Sequence, residues 1–199
     1  MSLLVETIRL EDGKLSNISF HNERINRSLY GVFGLRTESY LEKIINIPSF
    51  ASTGIFKCRL EYDDKTTKIE FLPYTVKPVR SLKLIIDDNI TYPYKYTERD
   101  NIHRLMEQRG DCDNILIIKN GMVTDSSYAN LVFMDLQGNW VTPSTYLLPG
   151  TRRASLLQQG LITEAVIPYT ELNKYSKVKL INAMIGIDDT EGITVKKIF

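Results

Sequence analysis

The sequence predicts a mixed α+β fold that is rich in strands in both halves. Two dipeptides that favour tight hairpin turns, Asp12-Gly13 and Asn120-Gly121, each lie between runs of apolar residues. Apolar residues also recur at helical spacing between these turns, at Ile25, Leu29, Val32 and Phe33. Hairpins in both halves, together with amphipathic helices, indicate an α+β protein rather than an all-helical or all-strand one.

The first half predicts two hairpins separated by helix. The residues around Asp12-Gly13 form two strands, and a helix follows from about Asn22. A second helix is expected within 37–52, ending before Pro48. The next hairpin turns at Asp63-Asp64. In its first strand Cys58, Leu60 and Tyr62 alternate with charged residues.

The second half follows a linker marked by Pro73 and Pro78. A strand is expected at 81–87, and a helix from Thr97 or Glu98 to Gly110. The remaining predicted elements are the Asn120-Gly121 hairpin, a strand pair over 130–143, a helix from Gly150 to Gly160, a helix after Thr170 and a strand over 177–184.

Composition excludes several classes of function. The 199 residues are 43% hydrophobic and 25% charged, and the formal net charge is +1. This balance does not favour nucleic acid or an anionic membrane as a partner. The N-terminus lacks the pattern of a signal peptide and no apolar run could span a bilayer, so we expect a cytoplasmic protein. Two cysteines and two histidines without ligand spacing predict no metal site.

Five segments, in this order, resemble the class IV aminotransferase family of fold-type IV pyridoxal-phosphate (PLP) enzymes. They are VETIR at 5–9, FHNERINRS at 20–28, YKYTERD at 94–100, VTDSSYANLVF at 123–133 and LLPGTRRASLL at 147–157. The resemblance implies a small N-terminal α/β sandwich domain, residues 1–76, and a larger C-terminal mixed-sheet pseudobarrel domain, residues 77–199. It also implies PLP in the cleft between them, a small-molecule amino substrate and a homodimer.

Lys95 matches the lysine that forms the Schiff base with PLP in this family. A lysine suits that role because its amine becomes nucleophilic once it is deprotonated. Partial burial and nearby cations are expected to lower the pKa of such a lysine. Without the resemblance, a solvated lysine whose stem lies along an aromatic edge explains the same residues.

Asp125 matches the carboxylate that faces the pyridine nitrogen, where better-known members have glutamate. Such a carboxylate keeps the ring protonated, so that the cofactor can accept electrons. An aspartate before Ser126 and Ser127 is otherwise typical of a turn or a cap. Asn130 matches a family asparagine, to which we assign the orientation of the cofactor's surroundings.

Three further residues match the family's phosphate site. Arg24 matches the arginine that binds the cofactor phosphate in the family, and Arg27 is the competing choice. A planar guanidinium suits a phosphate. Thr151 and Arg152 open a helix, whose backbone amides favour an anion. The family usually has threonine where Arg152 stands, so only the amides are carried over.

Other positions depart from the family or carry weaker assignments. Asp100 stands where many relatives have a tyrosine that contacts the ring hydroxyl. Ala183 and Met184 replace a hydroxyl-bearing pair, so any phosphate contact there would come from the backbone. Arg59 and Arg9 are candidates for the substrate carboxylate. A solvated sheet face explains Arg59 equally well, and Arg9 is similarly open.

The resemblance leaves three functions open. We favour 4-amino-4-deoxychorismate lyase, which eliminates pyruvate to give 4-aminobenzoate, because the short chain begins almost at VETIR as compact lyase domains do. Branched-chain or D-amino acid aminotransferase is the alternative. A non-catalytic binding relative is the third hypothesis, and the departures at Asp100, Arg152 and Ala183-Met184 are what such a loss would produce.

Overall fold

The computed structural model describes residues 3–38 and 40–199. Their contacts divide into two compact units. The first extends to Val76 and also contains Tyr94–Glu98, and the second contains Lys77–Pro93 and Arg99–Phe199. The separation into folding domains at residue 76 stays a prediction. The contacts add that Tyr94–Glu98, which the sequence assigned to the larger domain, packs with the first unit.

The described part of the first unit contains a four-stranded antiparallel sheet in the order β2-β1-β3-β4. Its strands are β1 (Leu4–Glu11), β2 (Lys14–Leu15), β3 (Ile55–Tyr62) and β4 (Thr67–Pro73). Asp12 and Gly13 have φ values of 46° and 75°, as a type I′ turn requires, so the predicted hairpin is confirmed. Along β1, alternate side chains point to opposite faces of the sheet. Glu6 therefore shares a face with Leu4 and Ile8.

Helix α1 (Ile18–Phe33) covers that face, and its Ile25 and Leu29 pack in a core with Leu4 and Ile8. The helix begins four residues before the predicted Asn22. Asn17, the residue that precedes it, is left-handed with φ 53° and makes no side-chain capping bond. Asparagine is a common N-cap residue, but here it does not make the capping bond that usually accompanies a helix start.

The second helix is much shorter than predicted. Helix α2 (Leu41–Ile44) is a single turn, and a 3-10 turn follows at Ser49–Ala51. Pro48 is extended, with φ −73° and ψ 153°, and proline also disfavours helix at the residue before it. The helix predicted within 37–52 and ending before Pro48 is therefore present but reduced to one turn.

The second unit is built on a mixed sheet, with eight strands among its described residues. They are β5 (Leu82–Ile86), β6 (Asn114–Lys119), β7 (Met122–Ser126), β8 (Asn130–Asp135), β9 (Trp140–Pro143), β10 (Thr163–Ala165), β11 (Tyr175–Ile181) and β12 (Ile193–Thr194). The order is β10-β9-β8-β7-β6-β5, and β11 pairs with both β8 and β12. The β5–β6 and β9–β10 pairs are parallel and the others antiparallel. The short strands β10 and β12 were not predicted.

The helices of the second unit are α3 (Asp100–Met106) and α4 (Thr151–Gln158). A 3-10 segment at Tyr169–Lys174 replaces the helix predicted after Thr170. The core of this unit includes Leu116, Phe133 and Val178, which are fully buried. An α+β architecture with strands in both halves is thus confirmed. No helix within 3–38 or 40–199 is long and apolar enough to cross a membrane.

Candidate active site

A buried ionic cluster lies between β1 and α1 in the first unit. Glu6 is fully buried, and both of its carboxylate oxygens accept hydrogen bonds from Arg24: Nε donates to Oε1 at 2.8 Å and Nη2 donates to Oε2 at 2.6 Å. The ring nitrogen Nδ1 of His21 lies 2.5 Å from the same Oε2. His21 and Arg24 are three residues apart on α1, so both project from one helix face toward Glu6.

The cluster sets the charge of its members. Burial alone would raise the pKa of Glu6, but Arg24 and His21 outweigh it and lower that pKa to about 2. The pKa of His21 is lowered, first by burial and then by the positive charges of Arg24 and Lys95, against the opposing effect of Glu6. Near neutral pH, Glu6 is therefore an anion beside a guanidinium and a neutral imidazole.

Lys95 lies in a segment that runs antiparallel beside the start of β1. Its carbonyl oxygen accepts a hydrogen bond of 2.9 Å from the Val5 amide. Tyr96 forms a bridge with Leu4, and the Thr97 amide donates to the Leu3 carbonyl at 2.9 Å. These bonds fix the backbone on both sides of Lys95. The half-buried lysine is thereby close enough to His21 for its charge to affect that imidazole.

Tyr94, which precedes Lys95, packs closely against Gly31 of α1. A Cβ on Gly31 would lie 1.9 Å from the Tyr94 hydroxyl oxygen and 2.6 Å from its Cζ. Gly31 lies in the last turn of α1, still at a helical position, where glycine is less favourable than alanine. Because Gly31 has no side chain, the Tyr94 ring can occupy this space.

In the second unit, the Asp125 carboxylate accepts three hydrogen bonds, from Leu147, Leu148 and Asn130. Its Oδ2 accepts from the backbone amides of Leu147 and Leu148, each at 3.0 Å. Its Oδ1 accepts from Asn130 Nδ2 at 2.8 Å, and that same nitrogen donates to the Leu148 carbonyl at 2.9 Å. Asp125 and Asn130 face each other across β7 and β8, so the sheet register brings them together.

Burial raises the pKa of Asp125 to about 6, although its hydrogen bonds and the charge of Arg153 act in the opposite direction. Gly150 completes this site. A Cβ there would lie 2.0 Å from Asn130 Oδ1, so only glycine lets α4 begin so close to Asn130. The Asp125 carboxylate, the Asn130 amide and the start of α4 therefore pack against one another.

Helix α4 begins at Thr151, which is buried, and Arg152 follows in the first turn. Arg153, the next residue, contacts groups elsewhere in the second unit. Its Nη2 donates to the Pro143 carbonyl at 2.9 Å and pairs with Glu164, and its guanidinium lies 4.5 Å from the centre of the Tyr146 ring. Of the two adjacent arginines, Arg153 thus has a structural role.

A cavity of about 420 Å³ is also present in the second unit. Thr124, Tyr92 and Leu147 are among its lining residues. Thr124 precedes Asp125 in β7, so by alternation their side chains point to opposite sides of the strand. The Asp125 side chain therefore points to the other side of β7 from Thr124, although Leu147 both lines the cavity and donates its amide to Asp125.

Comparison with known proteins places these features in a family. The model of the amino-transferase class IV family matches residues 93–188. An uncharacterized protein of Haemophilus influenzae is 41% identical over 187 residues, which cover 92% of this chain and 98% of that protein. A crystal structure from Haemophilus somnus 129PT, of a protein provisionally named 4-amino-4-deoxychorismate lyase, is 36% identical. Its TM-score is 0.88, with coverage of 94% of this chain and 98% of that one.

The chain belongs to the class IV aminotransferase family. A hypothetical aminotransferase from Mycobacterium tuberculosis in its PLP-bound form shares the fold, with a TM-score of 0.77 at 14% identity. The match covers 98% of this chain and 81% of that one. The predicted fold-type IV architecture, with its curled mixed sheet, is confirmed.

The structure distinguishes the two arginines proposed for the phosphate of this class IV family member. Arg24 is buried, whereas Arg27 is exposed on the same helix. Arg24 lies next to Ile25, at the edge of the apolar stripe of α1, and its side chain is buried in the first unit. Its partner in the structure is Glu6, which the sequence did not suggest. Phosphate binding by Arg24 stays a prediction.

The two candidates for substrate binding lie on the other face of β1 and β3. Arg9 Nε donates to Glu11 Oε2 at 3.0 Å. Arg59 pairs with Glu61 and, at 3.6 Å, with Glu70. Because Arg59 is opposite Thr7 in the register, both arginines project from the face that Glu6 does not occupy. Their substrate role stays a prediction.

The positions that depart from the family have defined places in the structure. Asp100 is exposed at the first residue of α3. Met184 is buried, and its backbone amide donates to Asn182 Oδ1 at 2.8 Å. That amide is therefore already engaged within a local turn. A backbone contact from Met184 to a phosphate would require this bond to be exchanged.

Sequence reasoning missed Glu6, His21, Gly31 and the amides of Leu147 and Leu148. Two signals could have found the first two. Glu6 interrupts the apolar series Leu4, Ile8, Leu10 on one face of a strand, and a carboxylate on a buried face needs a partner. His21 is three residues before Arg24, but the predicted helix start at Asn22 left it outside the helix.

Proposed function

We propose that this chain is a PLP-dependent enzyme that eliminates pyruvate from 4-amino-4-deoxychorismate to give 4-aminobenzoate. The observation that carries the choice of reaction is the 36% identity, over nearly the whole of both chains, to the Haemophilus somnus protein provisionally named 4-amino-4-deoxychorismate lyase. The structures named aminotransferases are less than 25% identical and support the fold alone.

The residues present fit the cofactor. A lysine amine can condense with an aldehyde, a buried carboxylate can accept a hydrogen bond from a protonated pyridine nitrogen, and an arginine can donate to a phosphate. Asp125 is held in place by the amides of Leu147 and Leu148 before any ligand arrives. Helix α4 begins at Thr151, and the backbone amides of a helix's first turn suit an anion such as a phosphate.

Each residue has a defined role in this proposal. Lys95 would hold the aldehyde covalently, Asp125 would pair with the pyridine nitrogen, and Asn130 would keep Asp125 oriented. Arg24 and the amides of Thr151 and Arg152 would hold the phosphate. When bound, PLP supplies an electron-accepting ring that stabilises negative charge at the substrate carbon.

The protein's own contribution to the chemistry is proton transfer and orientation. Once the substrate has displaced it, the Lys95 amine would take a proton from the substrate and return one as general base and acid. Asp125 is ionised above about pH 6, so at neutral pH it can keep a pyridine nitrogen protonated. Arg9 or Arg59 would bind a carboxylate of the amino substrate. We further propose a homodimer as the active assembly.

Two parallel incubations test the reaction. The PLP-loaded chain is supplied with 4-amino-4-deoxychorismate, or with an amino acid plus 2-oxoglutarate, and the products are separated by chromatography. We expect 4-aminobenzoate and pyruvate from the first and no glutamate from the second. Lys95→Ala should abolish product, whereas Lys177→Ala, at an exposed lysine of β11, should retain it.

The opposite outcomes identify the alternatives. Glutamate without 4-aminobenzoate would overturn the lyase in favour of a branched-chain or D-amino acid aminotransferase. A chain that attaches PLP but forms neither product would favour a non-catalytic relative. For the dimer, a mass in sedimentation equal to one chain at working concentration would contradict that part of the proposal.

A further inference from the structure

The strongest unassigned feature of the first unit is the buried carboxylate of Glu6. It accepts two hydrogen bonds from Arg24 and lies 2.5 Å from His21 Nδ1, and its side chain is fully buried. Isolated buried charges are costly, and a paired, hydrogen-bonded one persists where the surrounding structure holds it. Glu6 therefore fixes two side chains of α1 at once.

The geometry also determines which nitrogen of His21 carries its proton. Glu6 has a pKa of about 2, so near neutral pH it is a carboxylate and can only accept. A contact of 2.5 Å between Nδ1 and Oε2 then requires the proton on Nδ1. The pKa of His21 is lowered, so Nε2 carries no proton and is an acceptor.

We propose that Glu6 is a positioning residue of the cofactor-linking site, which locks the guanidinium of Arg24 and the Nδ1–H form of His21 beside Lys95. This inference rests on the proposed function, because it gives Lys95 its role. The backbone bond from Val5 to Lys95 places the lysine directly beside the strand position next to Glu6. The neighbouring groups that could titrate or add charge are Arg24 from α1 and Tyr62 from β3, whose pKa is raised by burial and by Glu6.

Charge balance gives the functional consequence. Glu6 and Arg24 carry opposite charges and His21 is neutral near pH 7, so this cluster of three residues carries little net charge. Replacing Glu6 by glutamine leaves the Arg24 cation uncompensated, and a cation favours the neutral form of a nearby amine. Capture of PLP, in which the amine condenses with the aldehyde and releases one water, should then begin at lower pH.

The first measurement uses the cofactor-free chain. Only two histidines are present, and His103 is exposed on α3, so it serves as an internal reference. In long-range ¹H–¹⁵N NMR spectra at pH 7, we expect wild-type His21 with Nδ1 protonated and Nε2 bare. Glu6→Gln presents an amide that can donate to Nδ1, so the tautomer should switch. A charged or Nε2-protonated His21 in the wild type would overturn the proposal.

The second measurement follows PLP capture by absorbance as a function of pH. For Glu6→Gln we expect the midpoint to fall by about one pH unit, from Coulomb's law at a protein-like dielectric. Glu6→Asp keeps the charge and should remain near wild type, and Glu70→Gln on β4 is the matched control. Thermal unfolding of each variant separates this shift from loss of fold. If the Glu6→Gln chain does not fold, the proposal is tested by the NMR spectrum of wild-type His21 and by the pH midpoint of PLP capture in Glu6→Asp.

Failure of the proposed function can be distinguished from failure of the role proposed for Glu6. A wild-type chain with the expected His21 spectrum that captures no PLP overturns the proposed function, and with it the role of Glu6. A wild-type chain that captures PLP, together with a Glu6→Gln chain of the same midpoint, overturns the role of Glu6 alone.

Discussion

The hydroxyl oxygen of Tyr94 lies 1.9 Å from the point where a Cβ on Gly31 would be. This contact connects the last turn of α1 to the residue that precedes Lys95. It also explains a glycine inside a helix of 16 residues. Alanine is normally the better helix residue by about 0.5–1 kcal/mol, so the contact reverses the usual preference.

Gly31→Ala should therefore destabilise the protein by about 1–3 kcal/mol, the usual cost of overpacking. Denaturant unfolding measures this change. The control is the same substitution in a Tyr94→Ala background, where the ring is gone and alanine should stabilise instead. If Gly31→Ala stabilises the wild-type chain, Tyr94 does not occupy that space.

Gly150→Ala should disturb Asn130 and, through it, Asp125. The new Cβ would lie 2.0 Å from Asn130 Oδ1, so the amide must move and its bonds to Asp125 and Leu148 are lost. We expect a loss of about 1–3 kcal/mol in unfolding free energy and weaker PLP binding. Gly186→Ala is the matched control, because its Cβ would meet nothing nearer than 3.4 Å. Equal effects at both glycines would contradict the contact with Asn130.

The pKa of Asp125 predicts a pH dependence of stability. Folding raises that pKa from 3.8 to about 6, so the folded state retains a proton that the unfolded state has released. The contribution of Asp125 is then complete below about pH 4 and is lost as pH rises through about 6. In this window, the difference in unfolding free energy between wild type and Asp125→Asn should fall by about 1.4 kcal/mol per pH unit.

The comparison with Asp125→Asn is needed because His21 titrates in the opposite direction. Its lowered pKa means that the unfolded chain binds a proton that the folded chain does not, so its contribution is lost as pH falls. His21 is present in both chains, so its contribution cancels when the unfolding free energy of Asp125→Asn is subtracted from that of the wild type. Chemical denaturation of the cofactor-free chains from pH 4 to pH 7 measures the difference. A constant difference would show that Asp125 has no raised pKa.

Arg24→Lys should weaken binding of PLP more than binding of pyridoxal, because only PLP carries the phosphate. A point charge replaces the planar fork, and we expect roughly a tenfold loss of PLP affinity. Arg27→Lys, at an exposed position of the same helix, should change neither ligand. Titration by fluorescence gives both affinities. Equal losses for PLP and pyridoxal would remove Arg24 from the phosphate site.

The hairpins were predictable because their turns are local. Asp12-Gly13 and Asn120-Gly121 adopt the positive φ angles that these residue pairs favour, and the strands beside them were placed correctly. The start of α1 was predicted four residues too late, although Asn17 is a residue type common at N-caps; its left-handed backbone makes no side-chain capping bond. The strands β10 and β12 have only three and two residues, too few for any period to show.

In the candidate site, too, local features could be predicted from the sequence and long-range contacts could not. Arg24 could be preferred over Arg27 from its place beside Ile25, because helical periodicity is a local property. The partner of Arg24 could not be predicted, since Glu6 is 18 residues away and meets it only after β1 and α1 pack. The anchoring of Asp125 by Leu147 and Leu148 depends likewise on a loop 22 residues later in the chain.

The most direct test of the central claim is the location of the cofactor on the chain. The PLP-loaded protein is reduced with borohydride, digested and sequenced by mass spectrometry. We predict a phosphopyridoxyl group on the peptide that contains Lys95 and on no other lysine, and its absence from Lys95→Ala. A modified peptide that lacks Lys95, or no stable modification at all, would contradict the assignment.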